Sequence, residues 1–113
     1  AVFEGFIASE IVKAQQNCGK RRELYFFRDE QGLEVDFVVP TGPAKLLLLE
    51  AKATRTLRPE MAIAMERLTR AIKRYKTHSA VIGLSSQNDA FSALRRGTRA
   101  VFLEDLPVLL SSP

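Results

Sequence analysis

Apolar and polar positions along this chain repeat with two different periods, and the switches between them mark its elements. From Phe3, the apolar residues Phe6, Ile7, Ile11 and Ala14 fall within about 80° of it on a helical wheel, which predicts an amphipathic first helix. Asn17-Cys18-Gly19-Lys20 supplies the stop. Glu23 to Asp29 (ELYFFRD) is rich in aromatics and reads as a strand that ends in an Asp-Glu-Gln-Gly turn. Glu34 to Val39 (EVDFVV) predicts a second strand, Pro40 to Pro43 a reverse turn, and Lys45 to Ala53 (KLLLLEAKA) a third strand. The unbroken leucines Leu46 to Leu49 predict that this third strand is covered on both faces. Pro59 opens a second helix, along which Met61, Met65, Leu68, Ile72 and Tyr75 recur at steps of four and three. Ala80 to Leu84 predicts a fourth strand, Asn88 to Arg96 a short helix closed by Gly97, and Ala100 to Leu103 a fifth strand. The resulting order is α-β-β-β-α-β-α-β. A meander followed by a helical crossover implies an α/β fold, with a mixed sheet and helices packed on it.

Composition narrows the class. The 113 residues fit a single domain spanning 1–113, and 46% hydrophobic with 27% charged residues is the balance of a folded globular chain. The longest apolar run, Met61 to Met65, falls far short of the roughly 18 residues of a membrane span, so no membrane partner is expected. One cysteine, Cys18, excludes an internal disulfide, and one histidine, His78, leaves no set of ligands for a structural zinc. With no export leader, the expected setting is reducing and cytoplasmic. The net charge of +4 is unevenly spread. Lys52 to Lys76 holds eight basic residues against Glu60 and Glu66, a local +6 that leaves the rest of the chain at −2.

Three places carry carboxylates where apolar residues are expected. Glu10 lies about 20° from Phe3 on the helical wheel, in the middle of the predicted buried face. A carboxylate there needs a cation or a metal, because desolvating it alone costs several kcal/mol; an ion pair with a nearby basic residue would serve equally. Asp36 interrupts the strand Val35-Asp36-Phe37-Val38-Val39, where Asp is disfavoured unless it faces solvent at an edge. Alternation places it with Glu34 and Val38 on one face, and Val35, Phe37 and Val39 on the other. Glu50-Ala51-Lys52 puts an acid and a lysine on one face of the third strand, directly after the four leucines. An acid-x-lysine triplet is weak evidence alone. If the second and third strands pair, however, Asp36 and Glu50 come together, and Glu10 joins them when the first helix packs over the sheet. Three carboxylates with waters suit Mg²⁺ or Mn²⁺, and a neighbouring lysine suits orientation or deprotonation of an attacking water. That chemistry fits phosphodiester hydrolysis.

Asp36, Glu50-x-Lys52 fourteen residues on, and a preceding helical glutamate resemble the PD-(D/E)xK nuclease superfamily. The closer resemblance is to a domain of unknown function found C-terminal to the ATPase module in bacterial and archaeal AAA-type ATPases. Phe3 to Glu10, Leu24 to Asp29, Glu34 to Val39 and Leu49 to Ala53 carry it, and the second half, ending in Phe102 to Pro107, matches more loosely. Val35 stands where the superfamily has proline, and no phosphate-binding GxxxxGK[ST] loop is present. The resemblance implies a restriction-endonuclease-like mixed sheet with flanking helices. It also implies a metal site of Glu10, Asp36, Glu50 and the Ala51 carbonyl, with Lys52, Glu50 and Asp36 catalytic. The chain would then be the C-terminal part of a longer protein, with an N-terminal ATPase domain as partner. Arg55, and Arg67, Arg70, Lys73 and Arg74 on the face of the second helix opposite its apolar stripe, are either a nucleic-acid surface or a solvated helix face. Two functions are expected to compete: a metal-dependent nuclease domain, and a catalytically inactive module that docks on or regulates its ATPase.

Overall fold

Gly19 and Gln15 fix where the first helix ends. The computed structural model describes residues 2–84 and 93–111. Helix α1 runs Val2–Asn17. It closes in a Schellman motif, in which the Lys20 N–H donates to the Gln15 carbonyl (2.8 Å) and the Gly19 N–H to that of Gln16 (3.0 Å). Gly19 takes φ +71°, the left-handed backbone that the motif needs. The buried Gln15 side chain then pins the outgoing chain, donating from Nε2 to the Glu23 carbonyl (2.7 Å) and accepting from the Glu23 N–H (3.2 Å).

Strands β1 (Tyr25–Arg28) and β2 (Glu34–Gly42) form an antiparallel hairpin. Asp29 holds its turn, with Oδ1 accepting from the N–H groups of Gln31 (3.0 Å) and Leu33 (2.8 Å). Strand β2 continues through Pro40, and the predicted Pro40–Pro43 turn is in fact the two-residue loop Pro43–Ala44, with Gly42 opposite Lys45. Pairing to β1 stops at Val38, so Pro40 sits where β2 has a free edge, a position at which a strand tolerates proline. Strand β3 (Lys45–Ala51) pairs antiparallel with β2 and parallel with β4 (Lys76–Gly83). A 3₁₀ turn (Pro59–Ala62) and helix α2 (Ile63–Ala71) make the crossover.

Two expectations fail in the second half. Helix α2 ends at Ala71 rather than reaching Tyr75, which is 45% exposed. Ala93–Arg95, expected as the end of a helix, is instead strand β5, antiparallel to β6 (Thr98–Phe102). Asn88 to Ser92 lie outside the described residues. Gly97 (φ +85°), instead of stopping a helix, uses its backbone freedom to turn a hairpin between Arg95 and Thr98. Helix α3 (Leu106–Ser111) follows.

The described strands form one six-stranded mixed sheet in the order β1-β2-β3-β4-β6-β5, with helices on both faces. On one face Leu47, Leu49, Ile82 and Val101 pack with Ile7 and Ile11 of α1 and Leu106 and Leu109 of α3. On the other, Leu48 and Val81 pack with Ala62, Met65 and Leu68 of the crossover. Leu47 to Leu49 are at most 1% exposed, so β3 is covered on both faces as its leucine run predicts. No helix among the described residues is long and apolar enough to cross a membrane.

Candidate functional site

A single extra residue in β2 builds the site. Tyr25 pairs with Val38 and Phe27 with Val35, so Asp36 and Phe37 together oppose Phe26: a β-bulge. The core confirms the slip, since Val35 packs on the α2 face while Phe37 and Val39 pack on the α1 face. Strict alternation, which put Val35, Phe37 and Val39 on one face, therefore breaks at Asp36.

Regular β2–β3 pairing also stops there, at Phe37 opposite Leu49. Beyond that rung two carboxylates replace the backbone ladder. The Asp36 N–H donates to Glu50 Oε1 (3.1 Å), and the Ala51 N–H donates to Asp36 Oδ2 (2.8 Å). This reciprocal bridge satisfies two amides as the strands diverge and locks both acids side by side. Lys52 continues the ladder on the other side, its N–H donating to the Ile82 carbonyl (2.9 Å), and its Nζ lies 3.9 Å from Glu50 Oε2. Glu50 is buried at 8% exposure. Burial, and then the adjoining Asp36 carboxylate, push its carboxyl from the ordinary 4.5 up to about 7, against the smaller opposing pull of Lys52.

Glu10 is not brought into this group. It is half-buried and pairs with Lys13 (Nζ–Oε2 3.2 Å), lining a cavity of about 360 Å³ against Pro107 and Leu110 of α3. Among the described residues no three acidic, histidine or cysteine side chains converge on a metal position. The reason lies in the phase of α1. Its buried residues Ile7, Ile11 and Gln15 centre about 80° from Phe3, while Phe6 is 47% exposed, so Glu10 stands at the border of the buried face. On that corrected phase Glu4 falls at the angle of the buried face, yet in the first turn of the helix it is exposed, and with Phe26, Arg28, Glu34 and Asp36 it lines a cleft of about 470 Å³. Its position one residue after Phe3, near the angle of Ile11, was the signal available in the sequence.

The basic candidates occupy three places, not one face. Arg55 is exposed on the loop after β3, at the Lys52 end of the sheet. Arg67 and Arg70 are exposed on α2, where Arg70 pairs with Glu66 (2.9 Å) and Arg95 pairs with the other Glu66 oxygen (2.7 Å). The Arg95 guanidinium holds the Glu66 carboxyl below its usual range. Lys73 and Arg74 lie beyond the end of α2, at the opposite end of β3 and β4 from Glu50.

Fold and site together define an α/β domain with a mixed sheet, whose strand ends carry an acidic pair beside a lysine. The chain belongs to the family described as Domain of unknown function (DUF4143), which matches residues 1–104. No curated protein and no solved structure matches it.

Proposed function

We propose that this domain is a metal-dependent nuclease of the PD-(D/E)xK type, hydrolysing phosphodiester bonds in DNA or structured nucleic acid as the C-terminal part of an AAA-type ATPase in the cytoplasm. The observation that carries the reading is the bridge at the point of strand divergence, where Asp36 and Glu50 are fixed together with Lys52 beside them. A structural ion pair would match the charges, whereas this cluster sets two adjoining carboxylates against one ammonium, 3.9 Å from Glu50.

The donors fit Mg²⁺ or Mn²⁺. Both acids are hard oxygen ligands, the Ala51 carbonyl adds a third, and Mg²⁺ is commonly held by one or two carboxylates with waters completing its shell. Such an ion would supply charge stabilisation at a scissile phosphate. Asp36 and Glu50 would hold the ion as ionised ligands, and Lys52 Nζ, 3.9 Å from Glu50 Oε2, orients the attacking water. Glu10, placed against α3, has no part in this version of the site. Glu4 is the acid that shares the cleft with Asp36.

The inactive-module reading has one observation in its favour: the Asp36 and Glu50 carboxylates already have a structural task in closing the β2–β3 ladder. The two are separated by incubating the full-length protein with branched and linear DNA in Mg²⁺ or Mn²⁺. The nuclease reading expects cleavage that Lys52→Ala lowers at least about 100-fold while the fold persists, in line with loss of a proton-handling group. An intact protein that leaves every substrate uncut in both metals would establish the module.

A further inference from the structure

At the end of the sheet remote from the carboxylates lie four cations that no acid among the described residues pairs with. Lys45 and Lys76 are register partners in the first rung of the parallel β3–β4 pair. The Lys76 N–H donates to the Ala44 carbonyl (2.8 Å), which draws the preceding residues Lys73 and Arg74 to the same end. All four are exposed, and none is paired with a carboxylate among the described residues. Like charges on adjacent strands repel, so this arrangement costs the free protein stability that Lys–Glu pairing would have spared. Tyr75, between Arg74 and Lys76 in the chain, has 45% of its surface exposed, although an aromatic side chain ordinarily packs.

We infer that Lys45, Lys73, Arg74 and Lys76, with Tyr75, form a binding surface for the phosphodiester backbone of nucleic acid, separate from the carboxylate site. The choice of ligand rests on the proposed nuclease reading, but the surface does not depend on catalysis. Ammonium and guanidinium groups neutralise phosphates, and an exposed aromatic next to them in the chain offers a face for a base; an acidic protein segment would use only the charges. Lys45 and Glu50 are five residue steps apart along β3, roughly 16 Å at strand rise. A strand held at this end therefore reaches the carboxylates only by crossing the sheet, and the surface anchors substrate at a distance from the cut. Arg67 and Arg70 are outside it, and Arg70 is already engaged by Glu66.

The test measures binding rather than cleavage. Fluorescent single-stranded and duplex oligonucleotides are titrated into the full-length Asp36→Asn protein without divalent metal, across a salt series. Lys45→Ala/Lys76→Ala is expected to lower the slope of log affinity against log salt by about two, and Arg67→Ala/Arg70→Ala to leave it nearly unchanged. Tyr75→Ala is expected to weaken single-strand binding roughly 5- to 100-fold, with Tyr75→Phe restoring it. Thermal melting of each variant confirms its fold, and removal of the repelling lysines should not lower it. An unchanged slope in the lysine variant, no binding by the parent protein, or equal competition by polyglutamate would each overturn the assignment. Cleavage can fail while all the binding results hold, so a failure of this inference and of the nuclease reading are told apart.

Discussion

Glu50 is the residue at which burial, charge and hydrogen bonding meet. Its side chain must be close to Asp36 to accept that residue's amide, and the same closeness, added to burial, raises its carboxyl to about 7. Because the folded value lies above the ordinary 4.5, this group favours the folded state below about pH 4.5, and that contribution is lost as pH rises through 7. The effect is bounded at about 3 kcal/mol. Glu50→Gln keeps an oxygen for the Asp36 N–H but cannot ionise. The variant should therefore gain stability relative to the parent at pH 8 and show a flatter stability profile between pH 4.5 and 7, read from urea midpoints at each pH. Parallel profiles for parent and variant would mean that the Glu50 carboxyl titrates normally.

At the scale of elements, the site depends on how the chain leaves β3 and passes β4. The Leu84 N–H donates to the Thr54 carbonyl (2.9 Å), and Lys52 donates to Ile82, so residues 52–54 run against the end of β4. Gly83 permits this approach: a Cβ there would lie 2.8 Å from the Phe102 ring and 3.0 Å from the Thr54 carbonyl oxygen. Gly83→Ala must push backbone or a buried ring aside and is expected to cost about 1–3 kcal/mol, seen as a lower melting temperature. Little of this was legible in the sequence, because a glycine inside AVIGL reads only as a weak strand residue. What was legible followed from strong local patterns. The leucine run announced a doubly covered strand, Asn17-Cys-Gly-Lys closed α1, and the pairing of β2 with β3 brought Asp36 to Glu50. The bulge at Asp36 was hidden, since alternation assumes one residue per rung and nothing in EVDFVV marks the extra one. The buried face of α1 centres about 80° from Phe3, so a wheel phased on that end residue puts Glu10 inside the face where the fold has it at the border. The apolar spacing of α2 continues through Ile72 and Tyr75 by coincidence, across the turn into β4.

For the whole molecule, the carboxylate bridge places a local cost inside the sheet that a bound cation would remove. Glu50 is buried, Asp36 half-buried beside it, and Lys52 stands 3.9 Å from Glu50. If the cluster takes a divalent ion, binding favours the folded state alone and stabilises it by mass action. At tenfold excess over Kd that amounts to about 1.4 kcal/mol, or several degrees of melting temperature for a domain of about 100 residues. The expected result is a melting temperature that climbs with millimolar Mn²⁺ or Mg²⁺. The climb should be steeper at pH 8 than at pH 6, because a protonated Glu50 competes with the ion. Asp36→Asn retains an oxygen for the Ala51 N–H and so should fold, yet its melting should no longer respond to metal. In the proposed nuclease, Lys52→Ala should keep the response while losing cleavage, since it would remove the group assigned to the water and not a ligand. Glu10→Gln should also keep it, and Glu4→Gln should weaken it if the cleft beside Asp36 is the metal's approach. Melting of the parent that ignores both ions at either pH would leave the bridge as a device for closing the strand ladder, and the cations at the other end of the sheet as the domain's route to nucleic acid.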